Sequence, residues 1–219
     1  GGQGGNNIGI GYLSLGGVGS HNFNIAMGYI NGKKTTTAGC NILMGMNAGC
    51  CVTTGSENIA MGHNSLSAAL VTGSKNVLIG KDTGCVITSG GYNVFFGCGV
   101  GRATTTGQGG IYLGRNAGAA NEGGDYAIII GTGAGVAGTA ICDNIIIGRE
   151  AGHVGSLTGK YNTVVGMQAG CDIAAGAYNT LLGHCAGTNL TSGNSNVMLG
   201  HGAGQNGATT GNGNTFLGS

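Results

Sequence analysis

The feature that most constrains this chain is a short unit that returns at nearly constant spacing. The pattern Asn-x-x-x-Gly, or a close variant, begins at residues 7, 24, 41, 58, 76, 93, 110, 127, 144, 162, 179, 196 and 214. The closing glycines run from Gly11 to Gly218 in twelve steps, nine of 17 residues and three of 18. Such regular spacing implies stacked, near-identical structural units, each burying its apolar surface against its neighbours. After each strand glycine comes a tight turn such as "GMNAG", "GKDTG" or "GREAG", then a short segment often ending in Thr/Ser and Gly, such as "CCVTTG" or "NLTSG". Each half is too short for a helix. The predicted unit is therefore strand, Gly turn, short second strand, Gly turn.

Composition agrees with a stacked β architecture. Gly is 52 of 219 residues, but Pro is absent and no Gly-X-Y triplet runs through the chain, which excludes collagen. Hydrophobic residues at 41% with only 7% charge argue against disorder. The net charge of +1 gives no basic footprint for nucleic acid. No apolar run approaches the ~20 residues of a membrane helix, so no membrane insertion is expected. The whole of 1–219 reads as one repeat array, taken from a longer fibre: both ends fall mid-unit, without a polar cap.

The stretch "DNIIIGREAGH" poses the main structural question. Ile145, Ile146 and Ile147 must point to both faces of a strand, yet all three are apolar. The residue after the Asn is β-branched (Ile8, Ile25, Ile42, Ile59, Val77, Val94, Ile145, Thr163, Val197). The third residue after it is apolar in every unit (Ile10, Met27 and Met44 through Leu217). These two columns are read as the coil interior, with a small residue (Ala48, Ala117, Ala134, Ala151, Ala169, Ala186, Ala203) at a narrow corner. The central column then faces outward as an assembly interface: Leu43, Leu78, Phe95, Tyr112, Ile129, Ile146, Val164, Leu181, Met198 and Phe216. At ~4.8 Å per coil that stripe would be roughly 60 Å long, and Ile146→Asp would break assembly. The asparagines Asn7, Asn24, Asn41, Asn58, Asn76, Asn93, Asn144, Asn162, Asn179, Asn196 and Asn214 are expected to stack as a structural amide ladder. Gly110 and Ala127 interrupt it.

The repeated "NxΦxGxxAG…TTG" resembles two groups: the head repeats of trimeric autotransporter adhesins and the repeats of phage and viral tail fibres. Residues 178–204, "YNTLLGHCAGTNLTSGNSNVMLGHGAG", are similar to the latter. The resemblance implies an all-β fold, a parallel β-solenoid or β-roll of about 13 coils, three chains side by side around a common axis. A triple β-spiral fibre shaft is the alternative. The implied function is a rigid trimeric rod of a viral or phage tail fibre, on a virion surface or otherwise extracellular, spacing or presenting a host-attachment tip. Its partner would be itself; any host glycan or receptor would be met through other segments. The alternatives are a secreted or cell-surface adhesin or filament, and a monomeric ice- or ligand-binding solenoid.

No chemistry stands out. The seven acids occupy different columns and form no catalytic pair, so no enzyme is expected. No cofactor is implied; "GTGAG" at 131–135 is a repeat turn with no helix after it. The eight cysteines contain no C-x-x-C. Cys50, Cys85 and Cys171 share a column, but the nearest two are ~9.6 Å apart at strand spacing, too far for a bridge. The cysteines are read mainly as free thiols filling small apolar spaces. No metal site is assigned; the weak candidates are His184 and His201 on adjacent coils, with Cys185 beside them. Ser20, Thr37, Thr54, Thr72, Ser89, Thr106, Thr158, Ser192 and Thr210 form a hydroxyl column, but Val52, Leu70, Ile87, Ile173 and Leu190 lie two residues earlier. That segment is read as interior, which argues against ice binding.

Overall fold

Thirteen short parallel strands, with turns between them, build a parallel β-solenoid in the computed structural model. Residues 5–17, 19–20, 22–154, 156–205 and 210–218 are described, and among them there is no helix. The chain forms two compact units, Gly1–Gly109 and Gly110–Ser219.

The first unit holds β1 (Ile8–Ile10), β2 (Ile25–Tyr29), β3 (Ile42–Met46), β4 (Ile59–Met61), β5 (Val77–Ile79) and β6 (Val94–Phe96). Successive strands pair in parallel and in exact repeat register, Ile8 with Ile25 and Ile42 with Ile59. The second unit holds β7 (Ile111–Leu113), β8 (Ile128–Ile130), β9 (Ile145–Ile147), β10 (Thr163–Val165), β11 (Thr180–Leu182), β12 (Val197–Leu199) and β13 (Thr215–Leu217). It follows the same rule, Ile128 with Ile145 and Val164 with Leu181. The repeat spacing thus becomes the pairing register directly.

Two conformational demands recur in every coil. From Gly11 to Gly200 the glycine closing each strand has φ between +117 and +141°. A Cβ there would run into the carbonyl of the equivalent glycine one coil on, as Gly148 would into Gly166. Glycine is required for that close approach. The residue just before each strand head is left-handed although usually not glycine: Glu57, Lys75, Tyr92, Tyr126, Tyr161 and Tyr178 all have φ between 54 and 62°. Except after Tyr126, which Ala127 follows, the next residue in each of these is the head asparagine, whose side chain bonds the neighbouring coils.

The small column is buried as expected, from Ala48 through Ala203. Opposite the strands, Val52, Val71, Ile87, Ile173 and Leu190 are fully buried. Leu70 is a correction: it is 55% exposed, because its coil has 18 residues and Val71 takes the inward place, bridging to Val52.

Candidate assembly surface

Inside and outside on the strands are the reverse of the sequence expectation. Leu43, Leu78, Phe95, Tyr112, Ile129, Ile146, Val164, Leu181 and Met198 are the core, all at 0–1% exposure. They cannot form an outward stripe on a folded chain. Of the central column named as interface, Phe216 in β13 is exposed, at 37%. The columns read as interior face out: Ile145 is 37% exposed, Val94 39%, Leu182 48% and Phe96 56%.

The head asparagine explains the inversion. Asn41 is fully buried. Its Nδ2 donates to Asn24 Oδ1 (2.9 Å) and to the Gly55 carbonyl (3.1 Å). Its Oδ1 accepts from Asn58 N (2.9 Å) and Asn58 Nδ2 (3.2 Å). The amide therefore stitches neighbouring coils and also closes its own coil, start to finish. Asn162 repeats the arrangement with Asn144, Asn179 and Gly176. Once the head residue points inward, alternation along the strand turns the next residue out, the third in and the fourth out. The ladder itself is as expected, from Asn7 to Asn93 in the first unit and from Asn144 to Asn214 in the second.

The outcome is a two-column apolar face on each unit. The residues flanking the central one are Ile/Met, Val/Ile, Val/Phe, Ile/Leu, Ile/Ile, Thr/Val, Val/Leu or Thr/Leu pairs, and none is charged. In the second unit this face crosses seven strands, roughly 29 Å at strand spacing. Exposed apolar surface of that extent marks a contact surface.

Beside this face runs the column after the strand glycine, which mixes aromatic, charged, polar and sulfur side chains. Tyr12 and Tyr29 stack at 5.2 Å between ring centroids. His184 and His201 stack at 4.9 Å, and Cys185 Sγ lies 3.4 Å from His184 Nε2. The three metal candidates do come together, but among the described residues no group of three or more His, Cys, Asp or Glu could hold an ion. On the opposite edge Tyr161 and Tyr178 stack at 5.1 Å.

The hydroxyl column also corrects an expectation. Thr37, Thr54, Thr72, Ser89, Thr106, Thr158 and Ser192 are exposed and not interior, while the apolar residues two positions earlier are buried apart from Leu70. The acids are dispersed: Asp143 pairs with Lys160 at 3.9 Å and Glu150 with Arg149 at 3.8 Å, both at the surface and contributing little to stability. All eight cysteines are free thiols; Cys185 is the one that is buried, while Cys40 and Cys98 are exposed. The small-filler reading fits Cys185 and fails for those two. Sequence reasoning also missed the contact of Cys50 Sγ with Cys51 Sγ, 3.1 Å apart, although the adjacent Cys-Cys dipeptide was the signal for it.

Among the described residues no helix is long and apolar enough to cross a membrane. Comparisons with protein-family models, curated proteins and solved structures return no match.

Proposed function

We propose that the chain is a structural module of a fibre, and that its outward apolar strand face packs against second and third copies of the same chain. The observation that carries this reading is the pair of uncharged flanking columns, exemplified by Ile145 and Ile147, on opposite sides of a buried Ile146. A second copy is the occupant best matched to the face. It offers the same apolar columns at the same strand spacing, so the two surfaces mesh rung for rung. A charged partner has little to engage, because only 7% of residues carry charge. Three copies around one axis follow the resemblance to adhesin heads and tail-fibre repeats. A host-attachment role, with the tip borne by other segments, follows from the same resemblance. No catalytic or cofactor-dependent role is proposed.

Light scattering coupled to size exclusion tests the reading. The expected mass is about three times the 21.2 kDa chain. The double substitution Ile145→Asp with Ile147→Asp is expected to shift that mass toward one chain while the β-sheet signal persists. A wild-type monomer at all concentrations would overturn the assembly, and a dimer would correct the copy number.

A further inference from the structure

The geometry points to a modification site at the corner of the third coil: we propose that Cys50 and Cys51 form a vicinal dithiol that a small anionic disulfide of the glutathione class oxidises to an eight-membered ring disulfide. Their sulfurs lie 3.1 Å apart, so about 1 Å of closure reaches a bond of about 2.05 Å. The turn carrying them is held on both sides. Lys34 N donates to the Cys50 carbonyl (3.1 Å), Val71 N to the Cys51 carbonyl (3.0 Å), and Val52 N to the Gly49 carbonyl (3.1 Å). Both thiols are half-buried and open to reagent. The adjacent Lys33 and Lys34 favour both a thiolate and an incoming anion.

The exchange balances in two steps. The Cys51 thiolate attacks one sulfur of the reagent, the reagent's S–S bond breaks, and one thiolate leaves and takes up a proton. The Cys50 thiolate then attacks the Cys51 sulfur of the mixed disulfide, the Cys50–Cys51 bond forms, and the second reagent thiolate leaves. Two protein thiols are oxidised, and one reagent disulfide is reduced to two thiols. Cys50 acts second because its thiol is pushed up to about 12, by burial first and then by the Cys51 contact and charge, against the opposing pull of Lys34 and Lys33. Ring closure, which needs the Cys50 thiolate, therefore accelerates with rising pH. Neighbouring Cα atoms are only about 3.8 Å apart, below the usual disulfide span, so the ring is strained and readily reduced.

Peptide mapping by mass after exposure of the folded full chain to oxidised glutathione tests this. The segment holding Cys50 and Cys51 is expected to lose two hydrogen atoms, with ring exceeding glutathione adduct by roughly tenfold or more, and to regain them with dithiothreitol. Exposed Cys40 and Cys98 should instead carry glutathione. Cys50→Ser should leave the adduct on Cys51, and chain unfolded in concentrated urea should show a smaller ring fraction. If the wild-type 50–51 segment stays reduced or carries glutathione while Cys40 and Cys98 react, the proposal fails, whether or not the variant folds.

Discussion

Two regions of the second unit solve the same problem differently. Coils headed by Asn162, Asn179 and Asn196 close with an amide that donates to a glycine carbonyl at the end of the same coil: Gly176, Gly193 and Gly211. The coils headed by Asn162 and Asn179 pair a large apolar residue on the far wall with that glycine, Ile173 and Leu190. The coils headed by Gly110 and Ala127 lack the head amide. In the first, the polar residue moves to the far wall. Asn121 is buried, its Nδ2 donates to the Tyr112 hydroxyl (2.6 Å), and its Oδ1 accepts from Gly124 N and Ile141 N (3.1 Å each). In the second, Ala127 vacates the head and Ile141 stands where the other coils of this unit have glycine, crowding Gly138, where a Cβ would strike the Ile141 side chain. Asn with Gly has become Ala with Ile. What changes is whether a hydrogen bond or a packed side chain closes the coil.

The largest effect should come from breaking an amide rung. Asn162→Asp removes both Nδ2 donations and buries a carboxylate, and is expected to cost about 3–5 kcal/mol, read as a lowered urea midpoint. Ile141→Ala tests the packed alternative and should cost about 2–5 kcal/mol through the cavity it leaves. The sharper experiment is a cycle: Ala127→Asn with Ile141→Gly rebuilds the amide closure, so the double variant should be more stable than the sum of its singles by about 1 kcal/mol or more. Simple additivity would mean the two positions are not exchanging roles.

Tyr112→Phe removes the hydroxyl that Asn121 engages and should cost about 1–3 kcal/mol. It also carries a pH signature. Burial raises the Tyr112 phenol above its ordinary value of 10.0, against a lowering by the Asn121 bond. The folded chain then holds this proton more tightly than the unfolded one. Its contribution is whole below pH 10 and is lost as pH climbs from there toward the folded value. Wild type should lose more stability than Tyr112→Phe over that alkaline range. The smallest effect on an isolated chain is expected at the outer flank: Ile145→Asp should change folding stability by about 0.5 kcal/mol or less, whereas Ile146→Asp, once expected to act on assembly, should unfold its coil.

Strand positions, parallel pairing, register and the glycine turns were all legible in the sequence, since a conserved spacing of 17 or 18 residues leaves one way to stack identical segments. The amide ladder was legible too, because Asn recurs at one place in the unit. Which apolar columns face out was not legible. A three-residue strand such as Ile145–Ile147 has no polar residue to mark its wet side, so alternation alone allows either phase. The missing information was a contact between residues 14 or 15 apart, Asn144 Nδ2 donating to the Gly159 carbonyl at 2.8 Å, which exists only once the coil has closed. The sequence by itself determined the strands and their partners, because both follow from spacing along the chain. The tertiary structure alone decided the candidate surface, because a buried amide must find its hydrogen bonds across the coil, and meeting that demand turns Ile146 inward and Ile145 and Ile147 out.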